Sequence, residues 1–351
     1  MRIIDIVSYP INIPLKKPFV IASGSTKSYS GVLIEIITNE RIRGIGESAP
    51  TKITNEDQKS VIEDIEKAKK RLIGKEPREI EKLLYELPKI GKSAKAGIDI
   101  ALHDILGKSC KLPLKYIFGG YRDKIETSVT IGICSLENTL KEAKRLIDIG
   151  VKIIKLKIGI SPKEDLEKVK EIRNCIGYEP KLRLDANQGY SVAKAIETLK
   201  KMEGYDIEFV EQPVNLRNIR GMREVRKKVD IPIMADESMH NIDDLMKIIS
   251  YDAAELLNIK LMKVGGLRTA MKISNIAEAN GIKCMLGCMI ETKVGITAAT
   301  HLACGLKNIE YADLDGNLEL IYDCVDGGVE LKNGRNVLPD LPGLGLKKRF
   351  D

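Results

Sequence analysis

From about residue 125 the chain settles into one rhythm: a short apolar stretch, then an amphipathic one, eight times over. The apolar stretches read "ETSVTIG", "VKIIKLKIG", "KLRLDAN", "IEFVEQP", "IPIMADES", "AAELLNIK", "IKCMLGC" and "IEYADLD". Stretches such as "LENTLKEAKRLIDIG" and "EDLEKVKEIRNCI" between them carry helical periodicity. Strand and helix alternating eight times predicts a parallel β/α barrel, in which functional side chains stand at the C-terminal ends of the strands. No helix is evident after the eighth strand, so the repeat ends on a strand.

The first 124 residues lack this rhythm. "RIIDIVSYPINI" and "GVLIEIITNERIRGIGES" read as strands with a "TNER" hairpin turn, followed by three helical stretches. Thr54, with Asp57 three positions on, suggests a capping box opening "DQKSVIEDIEKAKKRLIG". The fold class expected is α/β: a barrel over residues 125–316 with an α+β N-terminal capping domain over 1–124. Residues 317–351 form a strand-and-turn tail that folds back on the capping domain.

Composition excludes several classes. The 57 basic and 50 acidic residues leave a net charge of +7, but they are intermixed, and only 4% of residues are aromatic. That is a solvated surface with no nucleic-acid-binding stripe. The N-terminal stretch has charges at Arg2 and Asp5 and no unbroken apolar run, so neither a signal peptide nor a membrane span is expected. Seven cysteines without a CxxC pair suit reduced thiols in the cytoplasm.

The strand ends are where the charge is unusual. "VKIIKLKIG" places Lys155 and Lys157 two apart, hence on one face of a strand, with Ile154, Leu156 and Ile158 on the other. The next three strands end in Asp185, Glu211 and Asp236, and the sixth in Lys260. A lone acid after a strand is more often a helix cap. Three on consecutive strands converge, and like charges held that close call for a cation; an all-oxygen set suits Mg2+ or Mn2+. Strands two and six lie half a turn apart in an eight-stranded barrel, so Lys157 and Lys260 face each other across the mouth with the acids on the arc between them. Acting as bases requires each lysine to have a depressed pKa, which the cation, Lys155 and partial burial would favour.

"KLKIG", "RLDANQG", "VEQP", "ADES" and "NIKLMKVGG", in this order, resemble the enolase superfamily, in particular its muconate lactonizing subgroup. The similarity runs through nearly the whole chain, including "AGIDIALHDILGK". It implies a (β/α)7β barrel under a capping domain, Mg2+ at Asp185, Glu211 and Asp236, and proton abstraction next to a carboxylate, with Lys155 assisting by charge and hydrogen bonding.

Within that subgroup, "MIETKVGITAA" and the following "DLD" resemble dipeptide epimerases, in which such an acid pair binds the substrate's N-terminal amine. Asp313 and Asp315 are the residues concerned, opposite the centre of the metal site; the lesser alternative is that Asp315 only caps the "DG" turn. The reading is an isomerase: a two-lysine 1,1-proton transfer that inverts the C-terminal residue of a dipeptide. The alternatives on the same scaffold are an o-succinylbenzoate synthase, an N-acylamino-acid racemase or a muconate-type cycloisomerase, with a catalytically silent metal- or peptide-binding barrel as the non-enzyme reading. In relatives that prefer Ala-Glu an arginine of the first-domain loop meets the Glu side chain; here "ASGSTKSYS" offers Gly24 or Ser25, with Lys27 as the substitute cation. Met289 and Glu291, just after strand seven, are placed to line the pocket, with Glu291 equally suited to a supporting place behind it. The partners expected are a small-molecule dipeptide and further copies of the chain in a homo-oligomer.

Overall fold

The computed structural model describes residues 1–22 and 24–349. An antiparallel meander of β1 (Ile3–Ile21), β2 (Gly24–Thr38) and β3 (Arg43–Ser48) opens the chain. The β1–β2 hairpin is far longer than the sequence suggests. Pairing runs from Ile3↔Thr38 to Pro14↔Ser28, slips, and resumes from Phe19↔Thr26 to Ile21↔Gly24. Prolines at 10, 14 and 18 mask this arm as loop, but proline is tolerated on an edge strand, and β1 is one.

Three helices follow, α1 (Gln58–Leu72), α2 (Ile80–Glu86) and α3 (Lys92–Cys110). The box that opens α1 lies one turn later than the sequence reading placed it. Asp57 is the N-cap and accepts from the Ser60 amide at 2.8 Å, while the Ser60 hydroxyl accepts from the Asp57 amide at 2.9 Å. Thr54 instead closes a turn with Thr51. Asp57 is thus the capping residue itself, as a short side chain with a free oxygen prefers to be.

The sheet is buried on both faces. Val32, Ile34 and Ile36 pack with Val61, Ile65, Ile98 and Leu102 of the helices, while Leu33 and Ile45 join the core shared with the barrel. Gly44 and Gly46 let α3 lie directly on β3: a Cβ at Gly46 would stand 1.9 Å from the Gly97 carbonyl oxygen, and one at Gly44 2.1 Å from that of Ala101.

After α4 (Leu114–Ile117) and β4 (Lys124–Glu126), the barrel strands are β5 (Val129–Ile131), β6 (Ile153–Lys157), β7 (Lys181–Asp185), β8 (Ile207–Glu211), β9 (Ile233–Ala235), β10 (Leu256–Lys260), β11 (Lys283–Gly287) and β12 (Ile309–Asp313). They pair in parallel in sequence order. Closure between first and last comes from the Ser128 amide donating to the Ala312 carbonyl at 3.1 Å and the Leu314 amide donating to Thr127 Oγ1 at 2.8 Å.

Between them run α5 (Leu136–Asp148), α6 (Pro162–Ile176), α7 (Val192–Met202), α8 (Ile219–Lys228), α9 (Ile242–Tyr251), the short α10 (Leu261–Val264), α11 (Leu267–Ala279) and α12 (Lys293–Gly305). Ser135, Ser191, Asn218, Asn241 and Thr292 cap five of these with side-chain hydrogen bonds, which fixes where each helix leaves its strand. Inside, Phe209, Met234, Leu256, Met285 and Tyr311 form a separate apolar plug. The Arg183 guanidinium lies over the rings of Phe209 and Tyr311 and pairs with Glu208 at 2.6 Å.

The tail is built of short strands. After β12, the strands β13 (Val325–Gly327), β14 (Glu330–Lys332), β15 (Arg335–Val337) and β16 (Leu346–Lys348) pair with one another and with β4. Leu320 bridges to Leu15, and Lys348 reaches Glu35 at 3.2 Å. Among the described residues no helix is long and apolar enough to cross a membrane, and all seven cysteines are free.

The close approach of α3 to β3 is testable. Gly46→Val should destabilise the fold by about 2–3 kcal/mol through overpacking against backbone that cannot yield. The denaturant midpoint should fall accordingly; an unchanged midpoint would show that the helix rides further from the sheet.

Candidate active site

The barrel interior changes character along each strand. Inward positions carry the apolar plug, then Lys155 and Asn258, and at the C-terminal ends Lys157, Asp185, Glu211, Asp236, Lys260 and Asp313. The alternation that buries Leu156, Leu184 and Ile259 against the outer helices forces their neighbours inward, so the polar set follows from strand geometry.

Asp185, Glu211 and Asp236 come together as the sequence predicts. All three are buried, and one carboxylate oxygen from each lies within 4.8 Å of the others. Lys155 sits beneath them, its ammonium 3.0 Å from Asp185, 2.7 Å from Glu211 and 2.7 Å from Asp313. Lys157 pairs with Asp185 at 2.5 Å and Lys260 with Asp236 at 2.8 Å. The two lysines therefore flank the acid cluster from strands four apart, β6 and β10.

The second oxygen of each acid is held by the protein. The Asn187 amide donates to Asp185 Oδ1 at 2.9 Å and Asn258 Nδ2 donates to Glu211 Oε1 at 2.6 Å. Lys263, on α10, donates to both Asp236 Oδ1 and the Asp236 carbonyl.

The acids set the charge state of the buried amines. For Lys260, burial favours the neutral amine, but Asp236 and Glu211 outweigh it and its pKa is raised. Lys155 behaves likewise, with Asp185, Asp313 and Glu211 as the opposing charges. In both cases the carboxylates point their oxygens straight at the amine, and that favours the ammonium. Burial alone would raise Asp185 and Asp236; the facing lysines reverse this, Lys155 and Lys157 for Asp185, and Lys260 and Lys263 for Asp236. Glu211 goes the other way, pushed up to about 8 by burial and by Asp185. Beside Asp236, Glu237 is lifted to about 7 by burial and the Asp236 charge, and its Oε2 has no hydrogen-bond partner.

A cation fits this donor set on two counts. Three buried carboxylates converge, and burial with mutual repulsion raises Glu211, a strain that a divalent ion would relieve. The all-oxygen ligand set belongs to hard cations such as Mg2+ or Mn2+.

Asp313 and Asp315 close the far side. Asp313 accepts from Ser128 Oγ at 2.6 Å as well as from Lys155. Asp315 accepts from the Thr130 amide at 2.7 Å, and burial with the neighbouring Asp313 charge lifts it to about 7. Met289 is buried at the same rim. Glu291 is turned away from it. One oxygen accepts from the Met289 amide at 2.8 Å; the other lies over the first turn of α12, where a Cβ at Gly295 would stand 2.1 Å from it. Beside it, Glu47 of β3 accepts from Tyr29 Oη at 2.5 Å and from the Thr292 and Gly295 amides, each at 2.7 Å. Lys27 is exposed on β2, and no hydrogen bond or ion pair joins it to the cluster.

Sequence reading missed Lys263, Asn258 and Glu47, and gave Asn187 and Glu237 no role. Parity with Lys260 was the available signal for Asn258, and the K-x-x-K spacing the one for Lys263. Glu47 left none, because its partner helix lies 245 residues away.

Residues 3–119 match the family described as mandelate racemase / muconate lactonizing enzyme, N-terminal domain, and residues 138–350 the family described as enolase C-terminal domain-like. The chain is 42% identical to an L-Ala-D/L-Glu epimerase of Clostridium acetobutylicum, with 99% of each chain covered. It is 40% identical to a hydrophobic dipeptide epimerase of Enterococcus faecalis over 95% of this chain and 96% of that one. The crystal structure of the dipeptide epimerase from E. faecalis, complexed with Mg and the dipeptide L-Leu-L-Tyr, superposes with a TM-score of 0.97 at 38% identity, covering 99% of this chain and all of that one. A barrel of this topology, the three converging acids and similarity along the whole length agree: the chain belongs to the mandelate racemase and muconate lactonizing enzyme family of the enolase superfamily.

Proposed function

We propose that this protein is a Mg2+-dependent dipeptide epimerase, inverting the α-carbon of the C-terminal residue by proton transfer between two lysines. The observation that carries this reading is the pair Lys157 and Lys260, standing on either flank of one carboxylate cluster. A substrate carboxylate resting at the cluster puts its α-carbon between the two amines, and inversion requires a base on each face.

Asp185, Glu211 and Asp236 would hold the cation. Mg2+, when bound there, supplies a Lewis acid that draws charge from the substrate carboxylate and so acidifies the α C–H. Asp185 and Asp236, as ligands of the cation, would also fix where Lys157 and Lys260 stand on either side of the α-carbon. One amine then takes the α-proton while the other, still an ammonium, returns one to the opposite face. Lys155, buried and pinned by three acids, keeps its charge and donates toward the developing oxyanion.

Asp313 and Asp315 take the substrate's N-terminal ammonium. Their mutual repulsion supports this, since a cation between them relieves the strain that lifts Asp315 to about 7. Met289 lines the side-chain pocket, and Glu291, which packs beside Glu47, shapes the loop that carries it. Gly24 and Ser25 carry no charge and Lys27 is exposed, which argues against a strong acidic preference. The enzyme works in the reducing cytosol, without nucleic acid or membrane as partner.

Incubating a dipeptide library with the protein and Mg2+ in D2O tests the reading by mass spectrometry. Deuterium should enter the C-terminal residue with loss of optical purity, at apolar residues at least as fast as at Glu, and EDTA should abolish it. Exchange confined to N-succinyl amino acids would make the protein a racemase of acylated substrates instead. Lys157→Ala and Lys260→Ala should each lower epimerisation by about 10²–10⁴-fold, and undiminished exchange in the double variant would refute the two-base scheme. Asp315→Asn should raise KM for free-amine dipeptides by about tenfold to a hundredfold, the loss of one charged hydrogen bond, and leave N-acetylated dipeptides unaffected. Equal effects on both would remove the ammonium role.

A further inference from the structure

Each of the three clustered carboxylates has one oxygen paired with Lys155, Lys157 or Lys260 and the other held by a donor outside that lysine set. Asp185 Oδ1 accepts from the Asn187 amide at 2.9 Å, and Glu211 Oε1 from Asn258 Nδ2 at 2.6 Å. Asp236 Oδ1 is held by Lys263. The oxygens left over, Asp185 Oδ2, Glu211 Oε2 and Asp236 Oδ2, are the ones that face Lys155, Lys157 and Lys260.

The restraint on Asp236 is the most elaborate. Lys263 is completely buried, and its ammonium grips the carboxylate and the carbonyl of the same residue. It reaches them because α10 is a single turn that leaves β10 immediately after Lys260 and stops at Gly265 and Gly266, both at positive φ. Asn258 is likewise built in. It is fully buried, and its side chain leans toward Gly287, the β11 residue paired with Lys260, where a Cβ would stand 2.4 Å from the Asn258 side-chain oxygen. No larger residue at 287 leaves Asn258 room to reach Glu211.

We propose that Lys263 and Asn258 are positioning residues that hold Asp236 and Glu211 to one oxygen each, and that this restraint selects a small octahedral cation over Ca2+. The inference rests on the metal-dependent reading above. Its chemistry is that of coordination number: Mg2+ demands near-ideal octahedral geometry and keeps several waters, so a frame of single-oxygen ligands suits it. Ca2+ takes six to eight oxygens and gains from carboxylates that bind through both. A lysine tied to the idle oxygen denies Ca2+ that second contact. The alternative role, as a plain charge that balances the acids, makes a different prediction: removing Lys263 would then change affinity for all divalent ions alike.

Competition against Mn2+, followed by the electron paramagnetic resonance of free Mn2+, tests this without turnover. The unaltered protein should bind Mn2+, and Mg2+ should displace it more effectively than Ca2+. Lys263→Met keeps the length and apolar bulk of the side chain, and should shift the Ca2+-to-Mg2+ affinity ratio at least tenfold toward Ca2+; Asn258→Val should shift it the same way. Circular dichroism in EDTA reports which variants fold. If only one does, its ratio decides, and if neither does, the ratio of the unaltered protein decides. No Mn2+ binding in the unaltered protein would refute the metal site itself. Bound Mn2+ with a ratio unmoved by either folded variant, or displaced equally by both ions in the unaltered protein, would overturn this inference and leave the metal site standing.

Discussion

Everything at the barrel mouth depends on a buried network in which Lys155, Lys157, Lys260 and Lys263 meet Asp185, Glu211, Asp236 and Asp313. Such a network is a poor way to stabilise a fold. Each charge loses its hydration, and a well-packed apolar plug of the same volume often does as well or better. The same barrel shows this one layer down, where Phe209, Met234, Leu256 and Met285 fill the interior without charge. A chain that keeps eight charges where four apolar residues suffice just below is holding reactive groups in place. The layer between makes the transition: Arg183 covers the plug with its guanidinium and donates to the Ala312 carbonyl at 2.8 Å, directly under Asp313.

The first sheet reaches the start of α12 through Glu47. Its carboxylate takes the Thr292 and Gly295 amides at the start of α12, where the helix dipole favours an anion, and holds Tyr29 of the long hairpin with its other contact. One buried acid thus couples the arm of the first unit to the loop that carries Met289. The hairpin is tied again at its far end, where the Ile133 amide donates to the Val20 carbonyl at 2.8 Å. The arm is thus joined to the barrel through Glu47 and through Val20.

What the sequence made legible divides along physical lines. Period-two alternation and the eightfold strand-helix rhythm are local, and they sufficed for the strand ends, the three acids and the two flanking lysines. Anything set by a partner distant in the chain was not legible. The Asp57 cap was misread by one turn because both Thr54 and Asp57 are competent caps, and only the placement of α1 on the sheet chooses between them. The length of the hairpin was hidden by its prolines and by the slip between Pro14 and Phe19. Glu291 resembled a pocket residue from its position after β11; its orientation is decided by the α12 turn beneath it.

Chemistry and selection are built from different parts of this molecule. The two lysines proposed to transfer protons stand on β6 and β10 and the acids on the strands between, all anchored by parallel pairing whose register cannot slip without turning every side chain to the other face. The groups that would read a substrate's side chains lie on the hairpin of the first sheet and on the loop after β11, outside that register. A substitution at Gly24, Ser25 or Met289 touches none of the buried ion pairs, so substrate preference can drift while the charge network stays intact. The reverse does not hold. Removing one member of the network leaves a buried partner charge uncompensated, at roughly 3–5 kcal/mol, so the barrel mouth is held constant by its own electrostatics whatever the arm above it selects.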